Sequence, residues 1–396
     1  MVDTRKIFDW LVDGAPGATE APAVIDRMCA DLLAAGVPLD RFAAFVRTLH
    51  PLFMGRRFLW TPDAPCTVLE ATHGVLQAPG FLASPVAKVF DSGKPIRRRL
   101  IDPGCPHDFP IIKDLIREGV TDYLVGPMVF LSGHVHAVTF ASRAPGGFTD
   151  EHVAALLDLL RPLSRVAEIL AFRRTAVNVL ATYVGHHAGE RVMAGKIQRG
   201  DIETIRAVIW FSDLRGFTEL ASKVEPVVLI GTLNDLFDCQ VPAIERHGGQ
   251  VLKFMGDGLL AIFPFEGRDQ TPTQLCDSAL DAAVEAFACL DEQNRARISR
   301  GGSSIRFGLA LHVGDVAYGN IGGANRLDFT CIGPAVNIAS RLEGLTGRLN
   351  RTIVLSRQFA ETSTRASVPI GNFELKGVPE PQQVFVPEES GPISKG

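Results

Sequence analysis

Apolar and polar positions follow two periods along this chain, and the second half carries the clearer pattern. From Ile205 to Phe211 every residue but Arg206 is apolar, which predicts a strand that delivers Asp213 to a break at Gly216. Val227 to His247 reads as a helix closed by Gly248-Gly249. Val251 to Phe254 and Leu259 to Phe263 then read as a hairpin turning at Gly256-Asp257-Gly258. Thr273 to Ile298 predicts a second helix, Ile305 to Val313 with Val316 to Ile321 another hairpin, and Leu327 to Ile332 a further strand.

Strand, helix, hairpin, helix, strand is the ferredoxin-like βαββαβ order. An antiparallel sheet with its helices on one face is therefore expected for residues 205–387. The first half is a mixture of strands and helices. Pro22 to Gly36 predicts a helix through Val24, Met28, Leu32 and Leu33, and Leu124 to Phe130 with His134 to Ala141 predicts a hairpin around Leu131-Ser132-Gly133. After Pro145-Gly146-Gly147, Thr149 or Asp150 can cap a long helix. In that helix Val153, Leu156, Leu160, Leu163, Ala167 and Leu170 step by threes and fours, a seam that suits either packing on its own domain or a dimer contact. Pro162 favours a kink within it. The fold class is α+β, divided into an N-terminal segment 1–19, a first domain 20–172, a helical connector 173–204, a second domain 205–387 and a tail 388–396.

A length of 396 residues supports two cores, and 46% apolar with 21% charged residues is a globular composition. The net charge of -4 gives no general attraction to nucleic acid, and Arg97-Arg98-Arg99 reads as a solvated loop. Seven cysteines without CxxC spacing fit a reducing compartment, and no stretch near twenty apolar residues is apparent, so a soluble cytoplasmic protein is expected.

Asp213 and Asp257 each stand at a strand end beside glycine. Alone, each is a helix cap or a turn residue; together they suit hard divalent cations and a polyphosphate. Downstream, Asn337 and Arg341 are four residues apart on one helix face, and Arg341 offers a planar fork of donors suited to phosphate.

Three runs, Phe-Ser-Asp-Leu-Arg-Gly-Phe-Thr at 211–218, Lys-Phe-Met-Gly-Asp-Gly at 253–258 and Val-Asn-Ile-Ala-Ser-Arg at 336–341, resemble the class III nucleotide cyclases over roughly residues 195–387. The resemblance implies that Asp213 and Asp257 bind two Mg²⁺ or Mn²⁺ ions per active site. It implies that Lys253 and Thr330 read the base, that Asn337 and Arg341 orient the ribose and stabilise the transition state, and that Lys376 holds the triphosphate. It also implies a homodimer in which the two sets of residues meet from opposite subunits. Lysine only donates and a threonine hydroxyl can accept, a pair that suits adenine. An adenylate cyclase making cyclic AMP from ATP is therefore expected, with a guanylate cyclase or a catalytically silent sensing module as the alternatives. In the first half, the hairpin followed by Gly146-Gly147-Phe148-Thr149-Asp150-Glu151 and a helix resembles the C-terminal half of a GAF domain. That resemblance implies a small-molecule effector and regulation from the N-terminal domain.

Overall fold

Alternate residues between Asp122 and Val129 serve two cores: Leu124 and Met128 pack on one side, Tyr123 and Val125 on the other. An extended chain imposes that period of two. It organises the first of two compact units, Met1–Val179 and Leu180–Gly396, in the computed structural model. The structure describes residues 3–48, 53–267, 269–323 and 326–388, so the expected tail from residue 389 on lies outside the described residues.

The first unit comprises, in chain order, α1 (Arg5–Val12), α2 (Ala21–Ala34), β1 (Arg41–Arg47), β2 (Phe53–Thr61), β3 (Ala64–Thr72), α3 (Pro79–Leu82), α4 (Pro85–Ser92), β4 (Ile96–Arg99), α5 (Ile111–Arg117), β5 (Asp122–Val129) and β6 (Val135–Ser142). The long helix α6 (Asp150–Val184) begins in it. The sheet order is β3-β2-β1-β6-β5-β4, with every neighbouring pair antiparallel. Helices α1, α2 and α6 cover one face and α4 and α5 the other. Of the seam in α6, Leu156, Leu160 and Leu163 are buried in this unit's own core, and Val153, Ala167 and Leu170 pack against it. Each leucine buried this way contributes about 1.5–3 kcal/mol. The helix continues through Pro162. It lies so close to β5 that a Cβ on Gly126 would come 2.4 Å from Leu160 Cδ1.

Arg97-Arg98-Arg99 is not a solvated loop. It lies in β4, where Arg97 donates to the fully buried Asp122 at 2.8 and 3.3 Å and Arg98 pairs with Asp108. A buried carboxylate requires such a partner, and that requirement is invisible in a local run of like charges.

The second unit comprises α7 (His186–Met193), β7 (Ile202–Leu214), α8 (Phe217–Lys223), α9 (Pro226–Arg246), β8 (Gln250–Met255), β9 (Gly258–Pro264), α10 (Pro272–Ser299), β10 (Phe307–Gly323), β11 (Arg326–Ile332), α11 (Pro334–Arg348), β12 (Ile353–Ser356), α12 (Arg357–Thr362), β13 (Ser367–Phe373) and β14 (Gln382–Pro387). The sheet order is β13-β14-β12-β10-β7-β9-β8, with β11 paired to β10. Three expectations are corrected here. The two strands read between Ile305 and Ile321 are one strand, β10, which runs on through Gly314-Asp315 and makes its hairpin with β11 instead. The sheet is not wholly antiparallel, since β10 and β12 run parallel. Its helices lie on both faces, α9 and α10 on one and α11 on the other. Coverage of both faces is why β9 is buried at every position and reads as a continuous apolar run.

Contrary to the expectation of no such stretch, α9 has 21 residues and a mean hydropathy of 1.3 over its most apolar window, which by length and composition alone would cross a bilayer. Leu236, Cys239, Ala243 and Ile244 of this helix are instead buried in the core of the unit.

Candidate active site

Strand β7 is fixed from both sides before it reaches its acid. Asp213 pairs with Gly308 on β10 and with Gly258 on β9, and the preceding Ser212 hydroxyl donates to the buried Gln240 of α9 at 2.6 Å. Across the sheet, Gly256 takes a φ of +70° and closes the β8–β9 turn in two residues, so Asp257 arrives beside Asp213. Gly258 keeps the space open, because a Cβ there would lie 3.2 Å from Asp213 Oδ1.

The two carboxyl groups lie close enough to act directly on one another. Burial, then the charges of Asp257 and Glu343, push the Asp213 carboxyl up to about 7. Among the described residues neither aspartate forms an ion pair with a cationic side chain. Two half-buried carboxylates side by side, neither taken up in an ion pair among the described residues, fit a hard divalent cation; the other ligands of such an ion are ordinarily phosphate oxygens and water.

Arg215, two residues beyond Asp213, is half-buried, and burial lowers its pKa. Its guanidinium lies 3.8 Å from the buried Glu343 of α11. It occupies room that two glycines provide: a Cβ on Gly308 would sit 2.4 Å from Arg215 Nη2, and one on Gly347 2.3 Å from Nη1. The Glu343 carboxyl is raised in turn, chiefly by burial.

Lys253 of β8 meets the β10–β11 hairpin, which curls back over β8 and carries Thr330. Tyr318 donates to Gln250 at 3.2 Å, and Lys253 Nζ lies 2.8 Å from Asp328 Oδ2. Thr330 is 4% exposed, and its hydroxyl oxygen is buried without a hydrogen-bond partner among the described residues. Asn337 and Arg341 project from an exposed face of α11, and Lys376 is exposed between β13 and β14. Among the described residues, none of these three side chains makes a hydrogen bond or ion pair with the acid pair. Of the seven residues, the structure thus sets Asp213 beside Asp257, holds Lys253 to Asp328 on the strand that bears Thr330, and leaves Asn337, Arg341 and Lys376 exposed.

Residues 202–386 match the family model of the adenylate and guanylate cyclase catalytic domain. The second unit carries that domain. The chain is 37% identical over 164 residues to an adenylate cyclase of Anabaena cylindrica, covering 40% of this chain and 31% of the relative. It is 32% identical over 158 residues to the terminal-differentiation-specific adenylate cyclase of Dictyostelium discoideum, covering 40% of this chain and 7% of the relative. The chain thus spans less than a third of the length of these curated relatives. The solved structure of a bacterial light-regulated adenylyl cyclase shares the fold, with a TM-score of 0.50 at 19% identity, covering 71% of this chain and 89% of that one.

Arg215, Glu343 and Asp328 are residues of this candidate site that the sequence reading missed. Each lay within two residues of one that it named. Asp328 sits two positions before Thr330 on β11 and so shares its face, whereas nothing local foretells that Glu343 meets Arg215.

Proposed function

We propose that the cyclase domain is an adenylate cyclase that converts ATP to 3′,5′-cyclic AMP and pyrophosphate at sites shared by two copies of the chain. The observation that carries this reading is the Asp213–Asp257 carboxylate pair, neither member of which is held in an ion pair by a cationic side chain among the described residues. Asp213 and Asp257 would hold two Mg²⁺ or Mn²⁺ ions. When bound, those ions supply acidity for the ribose 3′-hydroxyl and charge compensation for the leaving pyrophosphate.

The side chains do the rest by position. Lys253 donates to adenine N1 and the unpartnered Thr330 hydroxyl accepts from the 6-amino group, which is the wrong pattern for guanine. Asn337 orients the ribose, Arg341 meets charge building on the α-phosphoryl group, and Lys376 holds the triphosphate. No covalent nucleophile is needed for an in-line displacement of this kind. Exposure of Asn337, Arg341 and Lys376 supports their service in the partner's site. The order β7, α9, the β8–β9 hairpin, α10 and β10 supports a ferredoxin-like core.

For the first unit we propose a GAF-like sensor that takes a small-molecule effector and regulates turnover. An antiparallel sheet covered by helices on both faces, with a cavity on one of them, supports that role. The test of the catalytic reading is the product formed from ATP or GTP with Mn²⁺, resolved by chromatography. Cyclic AMP and pyrophosphate from ATP, lost in Asp213→Ala, is the expected result. Cyclic GMP as the main product would favour the guanylate alternative, and no cyclic product from folded dimer would favour the silent module.

A further inference from the structure

The first unit encloses a cavity of about 650 Å³ between its sheet and helices α2 and α6, a volume ordinary for a small-molecule site. Strand register divides its floor by polarity. One cross-strand row, Ala44–Phe58–Val68, is apolar. The row beside it, Val46–Arg56–Glu70, carries an ion pair of 2.7 Å. The wall formed by α6 follows the same gradient, from Leu163 and Val166 through Leu170 to Arg174. The eleven steps from Leu163 to Arg174 rise roughly 16 Å along the helix. At the polar end, the hydroxyls of Thr48, just past β1, and Thr175 of α6 lie 3.2 Å apart.

Four charged side chains line the cavity: Arg56, Arg174, Glu20 and Glu70. Glu70 is taken by Arg56, and Glu20 is exposed at the head of α2. Two donors remain. Arg56 Nε is buried with no hydrogen-bond partner, and Arg174 has no ion-pair partner among the described residues. A buried guanidinium N–H without an acceptor is costly, and an anionic group bound there would supply the acceptor.

The geometry points to an amphipathic anion as the ligand of this cavity: an extended apolar body along Phe58, Val68 and Leu163, with a carboxylate head against Arg56 and Arg174. This rests on the reading of the first unit as a small-molecule sensor, and specifies what it senses.

Isothermal titration calorimetry of the full chain with dodecanoate, dodecanol and dodecylamine, all below their micelle-forming concentrations, tests it. Saturable binding of dodecanoate is expected, weakened at least about tenfold in Arg56→Gln and in Arg174→Gln, because a charge-assisted hydrogen bond is lost in each. Ala167→Trp, which narrows the cavity, should abolish binding while circular dichroism reports an intact fold. If that variant fails to fold, Arg174→Gln at its exposed position carries the test alone. No saturable binding of dodecanoate overturns the inference. Dodecanol binding as tightly as dodecanoate, or dodecylamine more tightly, overturns the anionic head. Cyclase turnover is assayed separately: dodecanoate that binds without changing turnover supports the site and overturns its regulatory role, so the two failures are distinct.

Discussion

Lys253 Nζ lies 2.8 Å from Asp328 Oδ2, so the ammonium proposed to read the base is already held by an acid two positions from Thr330 on the same strand. Both side chains are partly exposed, and a pair of this kind contributes no more than about 1 kcal/mol to stability. Its value is in aiming the lysine.

Asp328 therefore stands in the way of a simple change of nucleotide. Lys253→Glu alone sets two carboxylates against each other and should lower activity with both ATP and GTP. Lys253→Glu with Asp328→Asn removes the clash, and its GTP-to-ATP ratio of kcat/KM should rise at least about tenfold, the scale on which a donor–acceptor reversal discriminates. An unchanged ratio in a folded double variant would remove Lys253 from base reading.

Asp213→Ala takes away half of the acid pair and should reduce pyrophosphate release at least about a thousandfold, since several kcal/mol of charge stabilisation depend on it. Arg341→Ala should be similarly inactive. Mixing the two, after subunit exchange, should restore part of the activity, because one kind of site in the heterodimer keeps every residue. No recovery between folded, exchanging variants would count against a shared site.

Arg215→Ala leaves Glu343 buried beside the acids without its cation. Breaking a buried pair in this way costs about 3 kcal/mol, which urea denaturation would register as a lower midpoint. A variant as stable as the parent would show that the Glu343 carboxyl is held well enough by Thr346, whose hydroxyl donates to Glu343 Oε1 at 3.2 Å.

Acid should weaken both units. Burial, first of all, lowers the pKa of His136 in the first unit and His312 in the second to about 4, against an ordinary value of 6.5. Each is neutral in the folded protein and takes up a proton more readily when unfolded. Stability is thus complete above pH 6.5, falls as pH drops from 6.5 toward 4, and levels off below, with a loss of roughly 3 kcal/mol for each histidine. Urea midpoints at pH 7 and pH 4 would measure it, and His136→Asn or His312→Asn should flatten the response of its own unit.

Local pattern revealed what local forces decide. The strand leading to Asp213, the tight turn at Gly256-Asp257 and the helix of α9 all follow from runs, glycines and periodicity within a few residues. The seam in α6 was legible as a seam, but its partner was not: Leu156, Leu160 and Leu163 meet their own sheet, a choice made by residues a hundred positions away in β1. The break read at Gly314-Asp315 failed for a related reason. Glycine there serves close packing, since a Cβ would lie 2.6 Å from that of Ala335, and Asp315 is paired across the sheet with Arg206. Arg97 and Glu343 were misjudged or missed because a buried charge is explained only by the distant partner that faces it.

Helix α11 bears Glu343 on its buried side and Asn337 and Arg341 on its exposed one. Through Arg215, the buried side is tied to the strand that carries Asp213. In a head-to-tail pair, the acids of a chain and the outward residues of its α11 belong to different active sites, so each tether has one foot in each. Were the sites shared as proposed, filling one would strain or slacken the frame of the other, and a nucleotide in one would be felt next door through a single helix.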